Sequence, residues 1–476
     1  MQPLVITLLT HADLQPDRPA FLTEAEPVSY GRFARMVRTA AGRIHASGLG
    51  RSDRVLLCGR NSPELAAAYF AVHAAGCVAV WVGADVPPPM LAAILADSEA
   101  RLALHSRDIT LPMPSADLNG FCTAEPGGLQ TPRCGPDDAA DLLYTTGTTG
   151  REKGVLLTHA NIAHAAANMC EFIRTVPDDR ELVPIPLSHS FGLGRLRSMA
   201  LVGHTLALEP GMRNPAKTLR RLLDLRATGL AMVPAGFELM LRATQDHLVD
   251  ARGHLRYIEI GSAAMRPESR LRLMDLLPET RICHHYGLTE ASRAAFIEYH
   301  AERAKLGSIG RPSPNVEIAV LDEQGRGLPP GEPGELAVRG RMVMKQYWRQ
   351  PELTAQVLRD GWLRTGDRGH CDVDGYLYLA GRQNLVVNVG GMKVCPEEVE
   401  EQLNSHPAVV ESVCLGVFDP QAITGQCLQA SIVTRRPVSD EQLVEWLRGR
   451  VEEYKIPRLW RRVERIARTA SGKVQR

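Results

Sequence analysis

Between Tyr144 and Val155 the chain reads Tyr144-Thr145-Thr146-Gly147-Thr148-Thr149-Gly150-Arg151-Glu152-Lys153-Gly154-Val155, which packs three glycines, four threonine hydroxyls and one lysine into twelve residues. Glycines let successive backbone N–H groups turn inward on one anion, and hydroxyls with an ammonium complete a phosphate cage. The string is not the G-x-x-x-x-G-K-S/T loop of P-loop NTPases, because Lys153 is followed by Gly154 and the apolar Val155-Leu156-Leu157 rather than by Ser or Thr and a helix. The loop is therefore predicted to join two strands. The alternative for the string alone, and the lesser one, is a flexible glycine-threonine surface loop.

The string resembles the signature of the adenylate-forming superfamily of acyl-CoA synthetases, aryl-acid ligases, peptide-synthetase adenylation domains and luciferases, and further motifs follow in that family's order. His285-Tyr286-Gly287-Leu288-Thr289-Glu290 resembles the family's YGxTE. The resemblance implies a ring (Tyr286) stacked on adenine, a hydroxyl (Thr289) at the α-phosphate and a carboxylate (Glu290) on Mg²⁺. By itself Glu290 is an ordinary surface carboxylate. Gly261-Ser262-Ala263-Ala264 resembles the small-residue shelf under adenine and the acyl chain, where a flat ligand needs close approach to backbone. Trp362-Leu363-Arg364-Thr365-Gly366-Asp367 resembles W-x-x-TGD, implying that Asp367 accepts the ribose hydroxyls, and Arg382 matches a family arginine that reaches the nucleotide. Outside that context an Asp in a turn is an Asx-turn. Arg468-Thr469-Ala470-Ser471-Gly472-Lys473 resembles the family's terminal PRTxxGK. Only seven lysines stand against 48 arginines, yet Lys153 and Lys473 fall on the two family positions. A compact ammonium suits a bridge between an incoming carboxylate and the α-phosphate; a solvated tail lysine is the alternative.

The resemblance runs from about Ala12 to Arg476. It implies an ATP- and Mg²⁺-dependent ligase. A carboxylate attacks the α-phosphate in line, stabilised by Lys473, Thr289 and Mg²⁺ on Glu290, while Thr145, Thr146, Gly147, Thr148, Thr149, Gly150 and Lys153 hold pyrophosphate. A mobile C-terminal domain then rotates about a hinge near residues 382–384, and Gly390 and Gly391 line a tunnel for a pantetheine thiol. Here the chain departs from the family: Asn384 stands at the usual lysine or aspartate hinge position, and Asn388 where a lysine is common. The thiol belongs either to CoA or to the phosphopantetheine of a carrier protein, and a non-catalytic acyl-adenylate or nucleotide binder is a third reading.

On the acid side, Pro186-Leu187-Ser188-His189-Ser190-Phe191-Gly192-Leu193 resembles the P-x-x-H-x-x-G/S of acyl and aryl ligases. No aspartate is visible there to pair an α-ammonium, so a carboxylic acid other than an α-amino acid is expected. His189 is read as a gate or wall residue, or as a satisfied core histidine. His285 occupies a position that is glycine in many long-chain and aryl ligases and is expected to shorten the pocket toward a short or medium acid; Phe191, Pro234 and Phe237 are further expected walls.

These groups need elements to hold them. From Ser29 to Leu104 amphipathic helices alternate with short apolar runs, including helices over Tyr30–Ala46 and near Met90–Asp97; the rhythm is βαβ, a mainly parallel helix-covered sheet. It resumes after Asn161, with a helix near Lys217–Arg226 and strands near Leu230–Val233 and Tyr257–Ile260, predicting a second such sheet. Leu65–Ala84 is apolar for about the length of a membrane span, but Gly76 divides it into an Ala-rich half, capped at Asn61-Ser62-Pro63, and the β-favouring Val78–Val82. A buried helix and strand are expected. From Gly307 short alternating strands and the Gly/Pro-rich 325–334 predict a small distorted β-barrel. Residues 1–381 thus read as an α/β adenylation core, and 382–476 as a smaller α+β lid with helices near Pro396–Asn404 and Asp440–Glu453.

Fifty-five basic and fifty-four acidic residues in 476 leave a formal charge of +1, which supplies no general field for nucleic acid or an anionic membrane. Arg458, Arg461, Arg462, Arg465 and Arg468 form a basic stretch, read first as a solvated face and second as a partner for CoA phosphates or an acidic carrier. Ten scattered cysteines without a C-x-x-C pair, and no signal-peptide pattern, predict free thiols in a reducing cytoplasm.

Overall fold

The computed structural model describes residues 1–106, 111, 113–125, 128–146, 152–209, 211–212, 214–382 and 387–466; side chains at 146 and 380–382 are outside the description. Two sheets form the large part of the molecule. The first has seven strands in the order Gln346–Tyr347, Glu152–Thr158, Ala139–Thr146, Val78–Val82, Arg54–Cys58, Leu102–His105 and Ser115–Asp117. Its centre is parallel, and the strand Val78–Val82 is buried along its whole length. The preceding helix, Pro63–Ala74, is capped by Ser62, whose hydroxyl accepts from Leu65 N. No helix among the described residues is long and apolar enough to cross a membrane.

The second sheet has nine strands, with Arg180–Val183, Gly229–Met232, Tyr257–Ile260 and Arg281–Tyr286 parallel at its heart. In parallel α/β sheets, ligands bind where strands end and loops diverge. The segments 261–264 and 287–290 begin directly beyond two of these strands. The third unit is an open five-stranded antiparallel sheet, half of a barrel, in which Trp362–Cys371 lies between Gly334–Gly340 and Leu377–Arg382.

Beyond residue 386 a two-stranded hairpin (Val387–Val389 with Met392–Val394) and a three-stranded sheet (Val409–Phe418, Gln426–Thr434, Leu459–Arg462) share their own apolar core with the helices Pro396–Asn404 and Asp440–Leu447. The last helix is shorter than the sequence pattern predicts. It stops at Leu447 because Arg448 leaves helical geometry and Gly449 turns the chain with φ +74°. The expected hinge residues 383–384 lie outside the described residues.

Candidate active site

The glycine-threonine loop does join two strands: Ala139–Thr146 and Glu152–Thr158 pair antiparallel, with Thr145 opposite Lys153. Thr146 belongs to the first strand; its side chain, and Gly147, Thr148, Thr149 and Gly150, are outside the described residues. Lys153 and Glu290, 137 positions apart in sequence, are brought together through Tyr347. The Lys153 ammonium lies 5.6 Å from the Tyr347 ring centroid, and the Tyr347 hydroxyl donates to Glu290 Oε1 at 2.7 Å. Glu290 is held in place by its backbone, whose carbonyl accepts from Met344 N at 2.8 Å. Tyr347 carries no pattern of its own in the sequence; its strand, Gln346–Tyr347, becomes meaningful only by pairing with Val155 and Leu156.

Thr145, Lys153, His189, Phe191, Ser262, His285, Thr289, Glu290 and Gly391 line one cavity of about 620 Å³. The Tyr286 hydroxyl donates to Asp367 Oδ2 at 2.6 Å, which joins two residues expected at the nucleotide. Arg382 pairs with Asp367 along the sheet, its side chain outside the described residues. The shelf at Gly261-Ser262-Ala263 is tied down by His284, whose ring nitrogens meet Ala263 O at 2.8 Å and the Tyr299 hydroxyl at 2.7 Å. Burial brings His284 down to about 3, with His285 adding to the fall, so it acts as a neutral tie.

His189 stands at the N-cap of the helix Ser190–Val202 and is surrounded by protein, yet its own surface is accessible from inside the cavity. Burial lowers its pKa, against the raising effect of Glu452. Pro234 and Phe237 fall elsewhere. Phe237 is fully buried in the core of the second sheet with Leu182, Met232 and Met240, because the helix Pro234–Thr244 turns that face inward; Pro234 lines a small separate cavity beside Gly390 and Thr424.

One group of residues escapes sequence reasoning. Beneath the cavity, Glu259 is fully buried between Arg195 (3.1 Å), Arg293 (2.9 Å) and His285 Nδ1 (2.9 Å). Burial pushes the Glu259 carboxyl up, but Arg293 and Arg195 outweigh it and hold the group well below the usual carboxylate range. Arg293 also donates to the carbonyls of Ser190 (3.1 Å) and Phe191 (2.8 Å), pinning the first turn of the 190–202 helix. An isolated Glu in a parallel strand and an Arg after Thr289-Glu290 give no periodic signal that would single them out.

The C-terminal domain closes the cavity. Gly390 and Gly391, with φ +62° and +97°, make the two-residue turn of the 387–394 hairpin, a conformation that needs glycine at both places. At Gly391 a Cβ would come within 3.2 Å of both Ser262 and Val233. Asn388, which departs from the family pattern, has a structural part here: its Nδ2 donates to Ser262 O at 2.6 Å and its Oδ1 accepts from Gly391 N at 2.8 Å. Ser262 itself holds φ +71°, an uncommon conformation for a non-glycine residue. Met392, Lys393, Glu452 and Tyr454 complete the lining from this side. Lys455 is buried against Glu398 (2.7 Å) and Glu452 (2.8 Å) and reaches to 3.9 Å from Glu152 of the loop strand. Asn384 and Lys473 lie outside the described residues.

Comparison with known proteins agrees with this geometry. The model of the AMP-binding enzymes matches residues 8–348, and that of their C-terminal domain matches 398–473. The chain is 32% identical to a feruloyl-CoA synthase of an Amycolatopsis species, over 97% of this chain and 95% of that protein. It is 30% identical to a 2-succinylbenzoate–CoA ligase of Bacillus licheniformis, over 98% of each. Among solved structures, a double mutant of o-succinylbenzoate CoA synthetase from Bacillus subtilis, bound to a product analogue, matches with TM-score 0.90 at 27% identity. That match covers 100% of this chain and 97% of that one. The same enzyme with its acyl-adenylate intermediate matches at 0.75, covering 99% of this chain and 97% of that one, so the two domains here are arranged as in the product-analogue complex. On the strength of a family match over most of its length and a site assembled from both matched domains, the chain belongs to the AMP-binding enzymes.

Proposed function

We propose that this protein is an AMP-forming acid–thiol ligase that converts a small carboxylic acid to its acyl-adenylate with ATP and then to its CoA thioester. The observation that carries the reading is one cavity lined by Lys153, Thr289 and Glu290, by Phe191 and His285, and by Gly391 from the glycine turn of a second domain. In the first half-reaction the acid's carboxylate attacks the α-phosphate. Lys153 and the threonine loop take the charge that develops on pyrophosphate, Thr289 meets the α-phosphate, and Lys473 bridges carboxylate and phosphate. Tyr286, Asp367 and Arg382 hold the nucleoside over the Gly261-Ser262-Ala263 shelf.

Glu290 fits Mg²⁺. It is an oxygen donor at the edge of the cavity, opposite a lysine and steadied by a tyrosine hydroxyl. Among the described residues no group of three His, Cys, Asp or Glu could hold a metal; Mg²⁺ suits such a place, since it is commonly bound by one or two carboxylates with phosphate oxygens and water. When bound, the ion neutralises phosphate charge and makes pyrophosphate a better leaving group.

Two features support a thiol acceptor and a non-amino acid. The glycine turn at 390–391 packs its backbone closely against Val233 and Ser262, and Gly391 lines the cavity, which puts a side-chain-free stretch of the second domain where a narrow pantetheine arm would pass. Among the described residues the carboxylates lining the cavity are Glu152, Glu290, Glu335 and Glu452, while Glu259, the carboxylate beside His285, is already paired with Arg195 and Arg293, which supports an acid without an α-ammonium. His285 and Phe191 end the acyl space, which favours a short or medium acid. None of the ten cysteines is joined in a disulfide, which fits a reducing cytoplasm.

Pyrophosphate release measured over a panel of carboxylic acids, followed by acyl transfer to CoA and to a holo-carrier protein, tests the reading. Acid-dependent release with transfer to CoA is expected. Transfer to the carrier alone would replace the acceptor, and failure of ATP to bind would remove the reading altogether.

A further inference from the structure

The position of His285 at the acyl end carries more than a limit on length. We propose that His285 presents a hydrogen-bond acceptor to the acid, so that the preferred substrates carry a hydroxyl or N–H donor at the end far from the carboxylate. The proposal rests on the reading of this cavity as the acyl site.

The ring cannot turn away. It lies flat over Gly261, where a Cβ would approach its Cε1 to 2.0 Å, and it meets Phe191 edge-on at 4.8 Å between centroids and Phe296 at 5.8 Å. Its Nδ1 is 2.9 Å from Glu259 Oε1. Glu259 is kept ionised by Arg293 and Arg195, so a lone pair on Nδ1 would face a full negative charge, whereas a proton there faces an acceptor. Nδ1 therefore carries the hydrogen. Burial also lowers the pKa of the imidazole, opposed by Glu259 and reinforced by the two guanidiniums, which leaves a neutral ring whose Nε2 is a bare lone pair. Nδ1 is sealed from solvent, and its approach to Glu259 is a charge contact without hydrogen-bond alignment; no hydrogen bond to Nε2 is made among the described residues, and the ring lines the cavity.

The neighbouring cation does not offer a second option. Arg293 is committed to Glu259, Ser190 O, Phe191 O and the Ser292 hydroxyl, so its guanidinium has no N–H directed at a ligand. An acid with a second carboxylate at its far end would set acceptor against acceptor, and an unsubstituted apolar acid would bury Nε2 unpaired. An O–H or N–H donor satisfies it. The selection is built from four residues separated in sequence, Glu259, His285, Arg293 and Arg195, and acts through a fixed tautomer.

The test is a comparison of kcat/KM for matched acids: benzoate, hydroxybenzoates and a benzene dicarboxylate, and phenylacetate beside its hydroxylated forms. The natural protein is expected to favour the best hydroxylated acid over its unsubstituted parent by about tenfold or more, with the dicarboxylate poorest. His285→Leu is expected to bring that ratio to within about threefold of one, and His285→Gln, which keeps an acceptor oxygen, to retain part of it. Acids that turn over with no preference for the hydroxyl, or with preference for the dicarboxylate, overturn the proposal and leave the ligase reading standing. Absence of turnover with every acid overturns both. The ratio in the natural protein decides the matter even where a variant fails to fold.

Discussion

Seating of the C-terminal domain is expected to take up a proton at Glu152. Lys455 is completely buried and is shared by Glu398, Glu452 and, at 3.9 Å, Glu152; three ionised carboxylates about one ammonium would leave a net charge of −2 at the junction. Tyr454, His189 and Glu401 also face members of this cluster, and burial pushes the Tyr454 hydroxyl well above the ordinary range. Burial pushes Glu152 up to about 7; Lys455 opposes the rise, and Glu398 and Glu452 add to it. When the C-terminal domain swings away, Lys455, Glu398 and Glu452 leave with it, and Glu152 faces water near its ordinary 4.5. The seated arrangement thus binds a proton that the open one releases between 4.5 and 7. Below that window seating is insensitive to pH, within it seating weakens about tenfold per pH unit, and above about 7 it levels off at a total cost of at most about 3 kcal/mol.

The assay is single-turnover transfer of acyl groups from enzyme-bound adenylate to CoA, from pH 5 to 9, in the natural protein and in Glu152→Gln. The amide of the variant is neutral throughout, so the ratio of the two rates removes the ionisation of the CoA thiol common to both. Where seating limits transfer, the ratio of variant to natural rate is expected to climb through pH 5 to 7 and then flatten, with a plateau of up to about three hundredfold. A ratio constant over the whole range, or one that begins to rise only above pH 8, would refute the reasoning.

Lys153→Ala is expected to lower acid-dependent pyrophosphate exchange by about a hundredfold or more, since it removes a charge aimed at the leaving group; exchange within threefold of the natural protein would contradict this. Tyr347→Phe removes the hydroxyl that steadies Glu290 and should lower exchange about five- to tenfold while raising the Mg²⁺ concentration needed for half-maximal rate. Asn388→Ala breaks the contact with Ser262 and should slow transfer to CoA about tenfold with exchange little changed, so an equal loss in both half-reactions would count against it. Arg195→Met leaves Glu181 and Glu259 short of a buried counter-charge and is expected to destabilise the fold by about 3–5 kcal/mol in urea unfolding; a loss below 1 kcal/mol would show that the network is not structurally important.

Local pattern is enough for the elements and for most of the motifs. The helices Tyr30–Ala46 and Pro396–Asn404 and the strand Tyr257–Ile260 fall where local pattern puts them: Ser29 caps the first helix, Pro396 opens the second, and the strand is a largely apolar run buried along its length. Phe237 reads as a pocket wall in sequence yet lies in the core, because the orientation of the helix Pro234–Thr244 depends on what packs beneath it, a tertiary fact. Tyr347, Glu259, Arg293 and the Glu152–Lys455 junction are invisible in sequence for a related reason. Each acquires meaning from a partner 30 to 300 positions away, brought close only by strand order or by docking of the second domain. Asn388 shows the reverse: its departure from the family pattern looks like a loss in sequence, while in the fold it is a hydrogen bond between domains.

The central claim, that this cavity joins a carboxylic acid to AMP before passing it to a thiol, is tested most directly by ATP–pyrophosphate exchange in the natural protein and in Lys473→Ala. Exchange is expected only when a suitable acid is present and should fall at least about a hundredfold in the variant, while transfer to CoA from a supplied acyl-adenylate persists. Exchange that needs no acid, or that is untouched by loss of the Lys473 ammonium, would contradict the account.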